Sequence, residues 1–396
     1  MRPRQFALYI LAAVTLFGSC RKEDVNSGNN SSTNNDDCFQ SESVSASSTE
    51  VAGRFIVAYK NSALAAKGIA TTERVKALST DVLQKHRINP HALEMNFAGG
   101  PGGFVATLSA EEAAALKNDD NVAAVEPDKI ISLGSCFTVV APRLVTWNVN
   151  RVGYGDGTGK RAWIIDTGID FDHPDLTVDA TLSKSFIQGV TSARDENGHG
   201  THVAGIIGAK NNNIGVLGIA SGATLISLRV LDKDGSGRLS NIIQALAYVN
   251  ANASPGDVVN MSVGNDEGIS EILDQQVRAT AAKGIYIAIA AGNESKLANG
   301  YSPARTNADN VYTVSAVDSL DKFASFSNYG NDAVDYAAPG VRILSTFMNG
   351  KYAYMSGTSM AAPHVAGLLL LKGKNIKTMG TATNDPDSVP DPIAHY

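Results

Sequence analysis

The stretch RAWIIDTGID, residues 161–170, decides how this chain folds. It opens with a short apolar run, which is typical of a buried strand, and the run ends at the carboxylate of Asp166. Helix-like and strand-like segments alternate along the chain after it. The alternation predicts an α/β fold with a parallel sheet and helices on both faces, in which sites form at the carboxyl ends of strands.

The later segments that carry this alternation differ in length and residue content. Short β-branched runs predict strands, and longer amphipathic runs predict helices. The strand-like segments are TLISLRV, DVVNMS and IYIAIAAG; the helix-like segments are HVAGIIGA, RLSNIIQALAYVNA and SEILDQQVRATAAKG.

Four polar residues stand at predicted strand or helix ends, each within two residues of a glycine. They are Asp166 in WIIDTGID, His199 in ENGHGTHVAG, Asn293 in IAIAAGN and Ser359 in SGTSMAAPHVAG. A nucleophilic hydroxyl needs a base, the base needs an orienting carboxylate, and a developing oxyanion needs donors. The four residue types together indicate acyl-transfer chemistry.

The motifs and their order resemble those of subtilisin-like serine peptidases, in which Asp precedes His and His precedes Ser. HGTHVAG and GTSMAAPHVAG are the most specific parts of the likeness. The resemblance implies that Ser359 attacks the scissile carbonyl, that His199 transfers its proton and that Asp166 orients His199. It also implies that the Asn293 amide and the Ser359 N–H bind the oxyanion.

The residues around Ser359 suggest how its helix begins. We expect Thr358 to cap the helix, which would place Ser359 in the first turn, where free N–H groups and the helix dipole favour an anion. Pro363 interrupts the local hydrogen bonds. His202 and His364 are interpreted as core residues, since no third metal ligand stands at helical spacing.

The resemblance also implies a substrate groove formed by backbone edges. An extended peptide would add as a strand between two of them. One edge is Ser262, Val263 and Gly264; the opposite edge is Gly235, Ser236 and Gly237; the first specificity pocket is lined by Ala290, Ala291 and Gly292, which predicts room for apolar side chains.

KNNNIGVLGIA resembles the calcium loop of the same family. The implied ligands are hard oxygens, which suit Ca²⁺: the carboxylate of Asp175, the amide oxygen of Asn212 and the carbonyls of Lys210, Ile214 and Val216. Arg143 stands near the place of a further family ligand and cannot ligate. A plain Asn-rich turn remains the alternative.

Residues 51–132 carry the order β-α-β-β-α-β of a small ferredoxin-like unit. Within it, Ser109 and Glu112 form a predicted capping box. GGFVATLSAEEAAALKNDDNVAAVEPD resembles the inhibitory propeptide of subtilisin-like peptidases. An unrelated binding module is the alternative, because this fold alone says little about function.

The first 50 residues are not predicted to belong to a folded domain. Residues 1–20 have two arginines, an apolar run and small residues before Cys20, which indicates an export signal and resembles a lipoprotein signal. An ordinary secretory signal is the alternative. Residues 21–50, rich in Ser, Asn and Asp, predict a flexible linker. Cys38 and Cys136 either form a disulfide or remain free thiols.

Composition sets the remaining expectations. The 396 residues carry a net charge of −6 and no basic block, which argues against nucleic acid as a partner.

We expect a peptidase domain over residues 143–396, made as a self-processing zymogen and cleaved between about Ile131 and Trp147. The expected protein is a monomeric endopeptidase, extracellular or lipid-anchored at the cell envelope. It would act on extended polypeptides, be inhibited by its own propeptide and need no catalytic cofactor.

Two other functions compete with this one. An esterase could use Ser359, Asp387 and His395, but its nucleophile turn needs glycine where Ala361 stands. A non-enzymatic lipoprotein could bind peptides on an inactive scaffold, yet no member of the Asp–His–Ser set is missing.

Overall fold

The computed structural model describes residues 50–64, 71–132, 136–139, 145–264 and 268–396. The predicted signal, the linker up to residue 49, Cys20, Cys38 and Arg143 lie outside these residues, as does the side chain of Cys136. We call residues 50–132 the N-terminal region and residues 145–396 the large region.

Strands are numbered in chain order over both regions. β1 to β9 are Glu50–Tyr59, Leu93–Phe97, Gly103–Thr107, Val122–Ser132, Cys136–Val139, Gly155–Asp156, Arg161–Asp166, Lys184–Ser185 and Ala220–Ser221. β10 to β19 are Thr224–Arg229, Ser236–Arg238, Val258–Met261, Tyr286–Ala290, Val311–Val317, Tyr336–Pro339, Ile343–Phe347, Lys351–Ser356, Lys377–Thr381 and Pro392–His395.

Helices are numbered in the same way. α1 to α8 are Asn61–Leu64, Thr72–Lys85, Ala110–Lys117, Trp147–Val152, His199–Gly208, Leu239–Asn252, Glu271–Ala281 and Thr358–Lys372. Within the described residues, no helix has the length and apolar character needed to cross a membrane.

The N-terminal region forms an antiparallel sheet whose elements follow the predicted β-α-β-β-α-β order. The predicted capping box is present: Glu112 N donates to Ser109 Oγ at 3.1 Å, and Ser109 N donates to Glu112 Oε2 at 2.8 Å. The sheet order is β11-β4-β1-β3-β2, so its edge strand β11 comes from the large region. A strand of the large region therefore extends the N-terminal sheet.

The main sheet of the large region confirms the predicted parallel α/β fold. Its order is β18-β19-β15-β14-β13-β12-β7-β10-β8, and its pairs are parallel except β18 with β19. Along β7, Ala162 and Ile164 enter the core beside α5 and α8, while Trp163 and Ile165 enter the core beside α6 and α7. Helices therefore cover both faces, and the carboxyl ends of the strands share one edge.

The N-terminal sheet packs on α6 and α7 and shares their core. Ile56 and Val105 belong to the same apolar cluster as Ile242 and Val277. The opposite face of the N-terminal sheet has its own core, which includes Phe104. This two-sided burial follows from the period of two in strands.

Two carboxylates on β4 bind the first turns of these helices. Asp128 Oδ2 accepts from Ser240 Oγ at 2.7 Å, and Asp128 Oδ1 accepts from Ser240 N at 3.1 Å. Glu126 Oε2 accepts from Ser270 Oγ at 2.6 Å, and its Oε1 accepts from Ile272 N at 3.2 Å. Carboxylates at helix N-termini satisfy free N–H groups and complement the dipole. The N-terminal region thus supplies caps that the helices of the large region use.

The glycine-rich turn before β3 touches the same two helices. A Cβ on Gly99 would lie 2.7 Å from Asn250 Cβ, and a Cβ on Gly100 would lie 2.1 Å from Gln276 Oε1. Gln276 is fully buried. Glycine is therefore required here for close approach between the two regions.

The first helix and the last strand of the large region meet at one corner. Tyr396 N donates to Val152 O at 2.9 Å, and the Tyr396 ring lies under Lys372 Nζ, 3.4 Å from the ring centroid. A Cβ on Gly153 would lie 2.6 Å from Tyr396 Cβ. The end of β19 is thus fixed against the end of α4.

The Gly100–Gln276 contact gives a steric test of how the two regions dock. In chains carrying Ser359→Ala, so that the peptidase activity implied by the resemblance cannot cut the chain, Gly100→Ala should lower the free energy of unfolding. Overpacking of this kind costs about 1–3 kcal/mol. Gln276→Ala removes the obstructing amide and should recover most of the loss in the double variant. Urea unfolding of the parent, both single variants and the double variant measures the coupling. Additive losses would contradict a direct contact.

Candidate active site

Asp166 ends β7, and its carboxylate is fully buried. Its Oδ1 accepts from Thr167 N at 2.7 Å and contacts His199 Nδ1 at 2.7 Å. Its Oδ2 is buried and has no hydrogen-bond partner among the described residues. A buried carboxylate is stabilised by such pairing, so the imidazole is held with Nδ1 toward the acid.

His199 begins α5 and is 1% exposed. Glycines make this position possible: Gly198 has a φ of 110°, and a Cβ on Gly200 would lie 2.1 Å from Gly168 O and 3.1 Å from Asp166 Cβ. The helix start therefore approaches the strand end at backbone distance. His199 Nε2 is buried and lacks a hydrogen-bond partner within the described chain.

Ser359 lies in the first turn of α8, as predicted, and is 6% exposed. Its Oγ donates to Ser262 O at 3.3 Å, and its own carbonyl accepts from Ser262 Oγ at 2.8 Å. The hydroxyl is thus turned to a backbone carbonyl, while His199 Nε2 keeps its acceptor capacity. Hydrogen bonds between nucleophile and base are often formed only when substrate binds.

Thr358 does not cap the helix, contrary to the expectation from the sequence; Gly357 occupies the cap. The Thr358 hydroxyl donates instead to Asn293 Oδ1 at 3.0 Å, while Thr358 N donates to the same oxygen at 2.8 Å. Gly292 N donates to Thr358 Oγ1 at 3.1 Å. Because two donors fix Asn293 Oδ1, the amide cannot flip without losing both bonds, and Nδ2 remains a donor for another group.

The two predicted substrate edges differ in what lies beside them. β4 pairs antiparallel with β11, setting Ser132 opposite Ser236 and Ile131 opposite Gly237. An extended strand therefore already lies along the edge predicted from Gly235 to Gly237. Of the other edge, Ser262 packs against Ser359 through the two hydrogen bonds above, Val263 is buried and Gly264 is half-buried.

The predicted specificity pocket follows β13. Ala291 is buried, Ala290 is half-buried and Gly292 has a φ of 107°. Asn328, which the sequence analysis missed, fixes this turn: its Nδ2 donates to Ala291 O at 3.1 Å, and its Oδ1 accepts from Glu294 N at 3.0 Å. No local pattern could reveal it, since the contact spans 37 residues.

The predicted calcium loop folds around Asp175. Asp175 Oδ2 accepts from Val216 N at 2.9 Å, and Asp175 O accepts from Lys210 N at 2.8 Å. Asp175 Oδ1 is buried with no partner among the described residues, and burial raises the pKa of this carboxyl. Asn212 Oδ1 accepts from Ile214 N at 3.2 Å inside the loop. A buried carboxylate oxygen without a partner among the described residues is a hard-oxygen ligand of the kind that Ca²⁺ takes.

A second acidic cluster was not predicted. Among the described residues, carboxyl oxygens of Asp385, Asp387 and Asp391 lie within 4.8 Å of one another. Burial, together with repulsion from the other two, raises the pKa of Asp391 to about 7. Asp391 Oδ2 accepts from Ser315 Oγ at 2.6 Å, so this cluster is tied into the sheet edge.

The two histidines interpreted as core residues, and the residues of the rival esterase set, have other partners. His202 and His364 are fully buried, and burial lowers their pKa values to about 3 and about 4. His202 Nε2 contacts Ile343 O, and His364 Nε2 contacts Asn148 Nδ2. The rival esterase set is not assembled: Asp387 accepts from Gly330 N, and His395 contacts Arg151 O.

A parallel α/β sheet with a buried acid–imidazole pair, a serine at a helix start and a strand along the adjoining edge defines a serine peptidase. A profile of the subtilase family matches residues 162–383, and a profile of the peptidase inhibitor I9 family matches residues 54–134. The chain belongs to the subtilase family of serine endopeptidases and carries an I9 inhibitor domain before the peptidase domain.

Individual relatives agree with this assignment. Alkaline serine exoprotease A of Vibrio alginolyticus is 36% identical over 334 residues, covering 81% of this chain and 60% of the relative. Alkaline serine protease ver112 of Corniculantispora psalliotae is 38% identical, covering 67% of this chain and 70% of the relative. A thermostable alkaline protease of Halalkalibacterium halodurans is 40% identical, with coverage of 67% and 71%. This chain thus spans from three fifths to about seven tenths of these relatives.

A solved structure agrees as well. A cold-adapted subtilisin-like serine proteinase superposes with a TM-score of 0.56 at 32% identity. The match covers 64% of this chain and 98% of that one, so nearly the whole of that proteinase corresponds to part of this protein.

The Thr358 contacts generate a test of the oxyanion role predicted for Asn293. Thr358→Val removes the hydroxyl that binds Asn293 Oδ1 and Gly292 N, so kcat should fall with little change in KM. A neutral hydrogen bond contributes about 0.5–1.5 kcal/mol, which predicts a loss of about 2- to 10-fold. Thr358→Ser keeps the hydroxyl and is the matched control. Steady-state hydrolysis of a peptide anilide measures both constants; equal kcat in the two variants would contradict this role.

Proposed function

We propose that this protein hydrolyses peptide bonds through an acyl-enzyme intermediate formed on Ser359. His199 Nε2 takes the Ser359 proton as Oγ attacks the scissile carbonyl, and it returns that proton to the leaving amine. Water then attacks the acyl-enzyme by the same route, freeing Ser359. The observation that carries this proposal is the buried 2.7 Å contact between Asp166 Oδ1 and His199 Nδ1, which leaves Nε2 available as a base.

Two donors would stabilise the negative charge that develops on the carbonyl oxygen. One is Asn293 Nδ2, whose amide is oriented by Thr358, and the other is the N–H of Ser359 in the first turn of α8. Preorganised donors in a buried setting need no rearrangement as charge develops, so they favour the transition state over the ground state.

We propose that substrates bind as the β4 strand does, by adding to the edge at Gly235–Gly237, with Ser262–Gly264 as the second edge. The pairing of Ser132 with Ser236 supports this assignment. Ala290, Ala291 and Gly292 would line the first specificity pocket. The I9 domain over about residues 51–132 would then inhibit the enzyme by occupying the substrate edge.

The pairing of β4 with β11 also supports a position for cleavage of the chain. β4 ends at Ser132 beside β11, and β5 begins at Cys136 beside β17, whose last residue is three before Ser359. We propose that the peptidase domain, residues 143–396 with the short segment before it, is released by cleavage between Ser132 and Cys136.

The Ser359→Ala variant tests this function. It should accumulate as the full precursor, because the hydroxyl that forms the acyl-enzyme is gone, whereas wild type should yield a shorter chain beginning between residues 133 and 136. Intact-mass and N-terminal sequencing detect both species. Ser325→Ala is a control for serine replacement at an exposed position.

A serine-reactive phosphonate separates this proposal from a non-enzymatic peptide-binding lipoprotein. Labelling of the processed wild type at Ser359 supports the peptidase. Absence of labelling after the N-terminal domain has been removed would overturn it and favour the binder.

We propose a structural Ca²⁺ at the Asp175 loop. Asp175 Oδ1, Asn212 Oδ1 and the carbonyls of Lys210, Ile214 and Val216 would hold it, and the ion would neutralise the buried carboxylate. The orphaned Asp175 Oδ1 supports this assignment. Cation binding would tie the loop after α5 to the turns that follow β7.

Chelation tests the calcium proposal. EDTA should lower the melting temperature of Ser359→Ala, and added Ca²⁺ should restore it, since an ion that binds only the folded state stabilises it. Asp175→Asn should abolish this response, whereas Asp387→Asn in the other acidic cluster should leave it unchanged. A response lost only in Asp387→Asn would move the ion to that cluster.

The proposal extends to location and assembly on the evidence of sequence alone. The export signal over residues 1–20 would deliver the chain outside the cytoplasm, and lipidation of Cys20 followed by the linker over residues 21–50 would hold a monomeric enzyme near the cell envelope.

A further inference from the structure

The carboxylate of Asp195 lies between the two segments that carry Asp166 and His199. It accepts five hydrogen bonds in total, and the donors lie on both segments. The donors to Oδ1 are Thr167 Oγ1 at 2.9 Å, Asn197 N at 2.9 Å and Gly198 N at 2.9 Å; the donors to Oδ2 are Thr201 N at 3.0 Å and Thr201 Oγ1 at 2.6 Å.

On one side, Asp195 holds the strand end that carries the acid. Thr167 directly follows Asp166, and Thr167 N donates to Asp166 Oδ1 at 2.7 Å. The Thr167 hydroxyl donates to Asp195 and accepts from Gly200 N at 2.9 Å. One hydroxyl thus links the residue after Asp166, the carboxylate of Asp195 and the residue after His199.

On the other side, Asp195 holds the helix start that carries the base. It accepts from Gly198 N and Thr201 N, the residues on either side of the His199–Gly200 pair. Gly198 itself has no side chain with which to cap α5. A carboxylate here satisfies free N–H groups and complements the helix dipole.

The segment that carries Asp195 is itself fixed. Asp195 N donates to Ile169 O at 3.1 Å. The buried guanidinium of Arg229 donates to Arg194 O at 2.8 Å and to Glu196 Oε2 at 2.7 Å, so both neighbours of Asp195 are anchored. A polar network in which every member is bonded is rigid.

We infer that Asp195 is a positioning residue, which sets the separation and alignment of Asp166 and His199 by bonding both of their backbone segments. The inference rests on the proposed function for its catalytic consequence, although the geometric claim stands apart from activity. Asp195 touches no reacting group, and it acts on the reaction only through the Asp166–His199 contact.

Substitutions at two positions test this role. Asp195→Asn replaces an acceptor oxygen by a donor facing Thr201 N–H, and Thr167→Val removes the linking hydroxyl without changing charge. Thr167→Ser retains that hydroxyl and should behave as wild type. Misalignment of reacting groups costs about 10²-fold, so Asp195→Asn should lower kcat by about that factor with KM little changed. Thr167→Val should lower kcat by about 10-fold, the effect of one charge-assisted hydrogen bond.

A spectroscopic readout separates positioning from activity. In the full-length Ser359→Ala chain, the proton shared by Asp166 and His199 should give a strongly deshielded NMR resonance. Asp195→Asn and Thr167→Val should shift or broaden it, and Thr167→Ser should not. Asp234→Asn, which removes an exposed charge whose side chain bonds Lys233, is the charge control.

The outcomes are distinct. A resonance that moves in both loss variants and is kept in Thr167→Ser, with kcat reduced in processed enzyme, supports the inference. An unchanged resonance together with unchanged kcat would overturn it. A moved resonance in a chain whose wild type shows no Ser359-dependent turnover would support the positioning and refute the proposed function. Urea unfolding identifies any variant that fails to fold. If Asp195→Asn does not fold, the comparison of Thr167→Val with Thr167→Ser tests the inference.

Discussion

The burial of the Asp166 carboxylate is the constraint on which the arrangement of the large region depends. A charge removed from water is tolerated only when it is paired, and here the pairing comes from His199 Nδ1 and Thr167 N. His199 belongs to a helix start that must approach the strand end closely, and Gly168 and Gly200 provide that room. The glycines beside these polar residues therefore reflect packing between backbones as much as chemistry.

Close packing also governs how the N-terminal region contacts the large region. Its sheet shares a core with α6 and α7, its β4 carboxylates cap both helices, and its edge is completed by β11. An apolar face, two helix ends and one strand edge of the large region are thus covered together. The pairing of β4 with β11, the proposed substrate edge, is consequently one part of a broad interface.

Much of this could be predicted because the signals are local. The apolar run before Asp166, the helix spacing of α6 and α7 and the capping box at Ser109 each arise within a few residues. Contacts between distant segments could not be predicted. Thr358 resembles a cap in sequence but bonds Asn293, 65 residues away, and Asn328 fixes a turn 37 residues before it. The antiparallel pair β18–β19 also escaped prediction, because its strands are short and every residue of β18 is exposed.

The corner where Tyr396 meets Val152 and Gly153 has a mechanical consequence. Both ends of the large region meet at one place through a backbone hydrogen bond and close packing at Gly153, while Lys372 of α8 lies over the Tyr396 ring. Tension applied between those ends would first peel β19 and α4 apart at that corner, one contact after another. Because β19 also pairs with β15 and β18, the load would pass into the main sheet once the corner had opened.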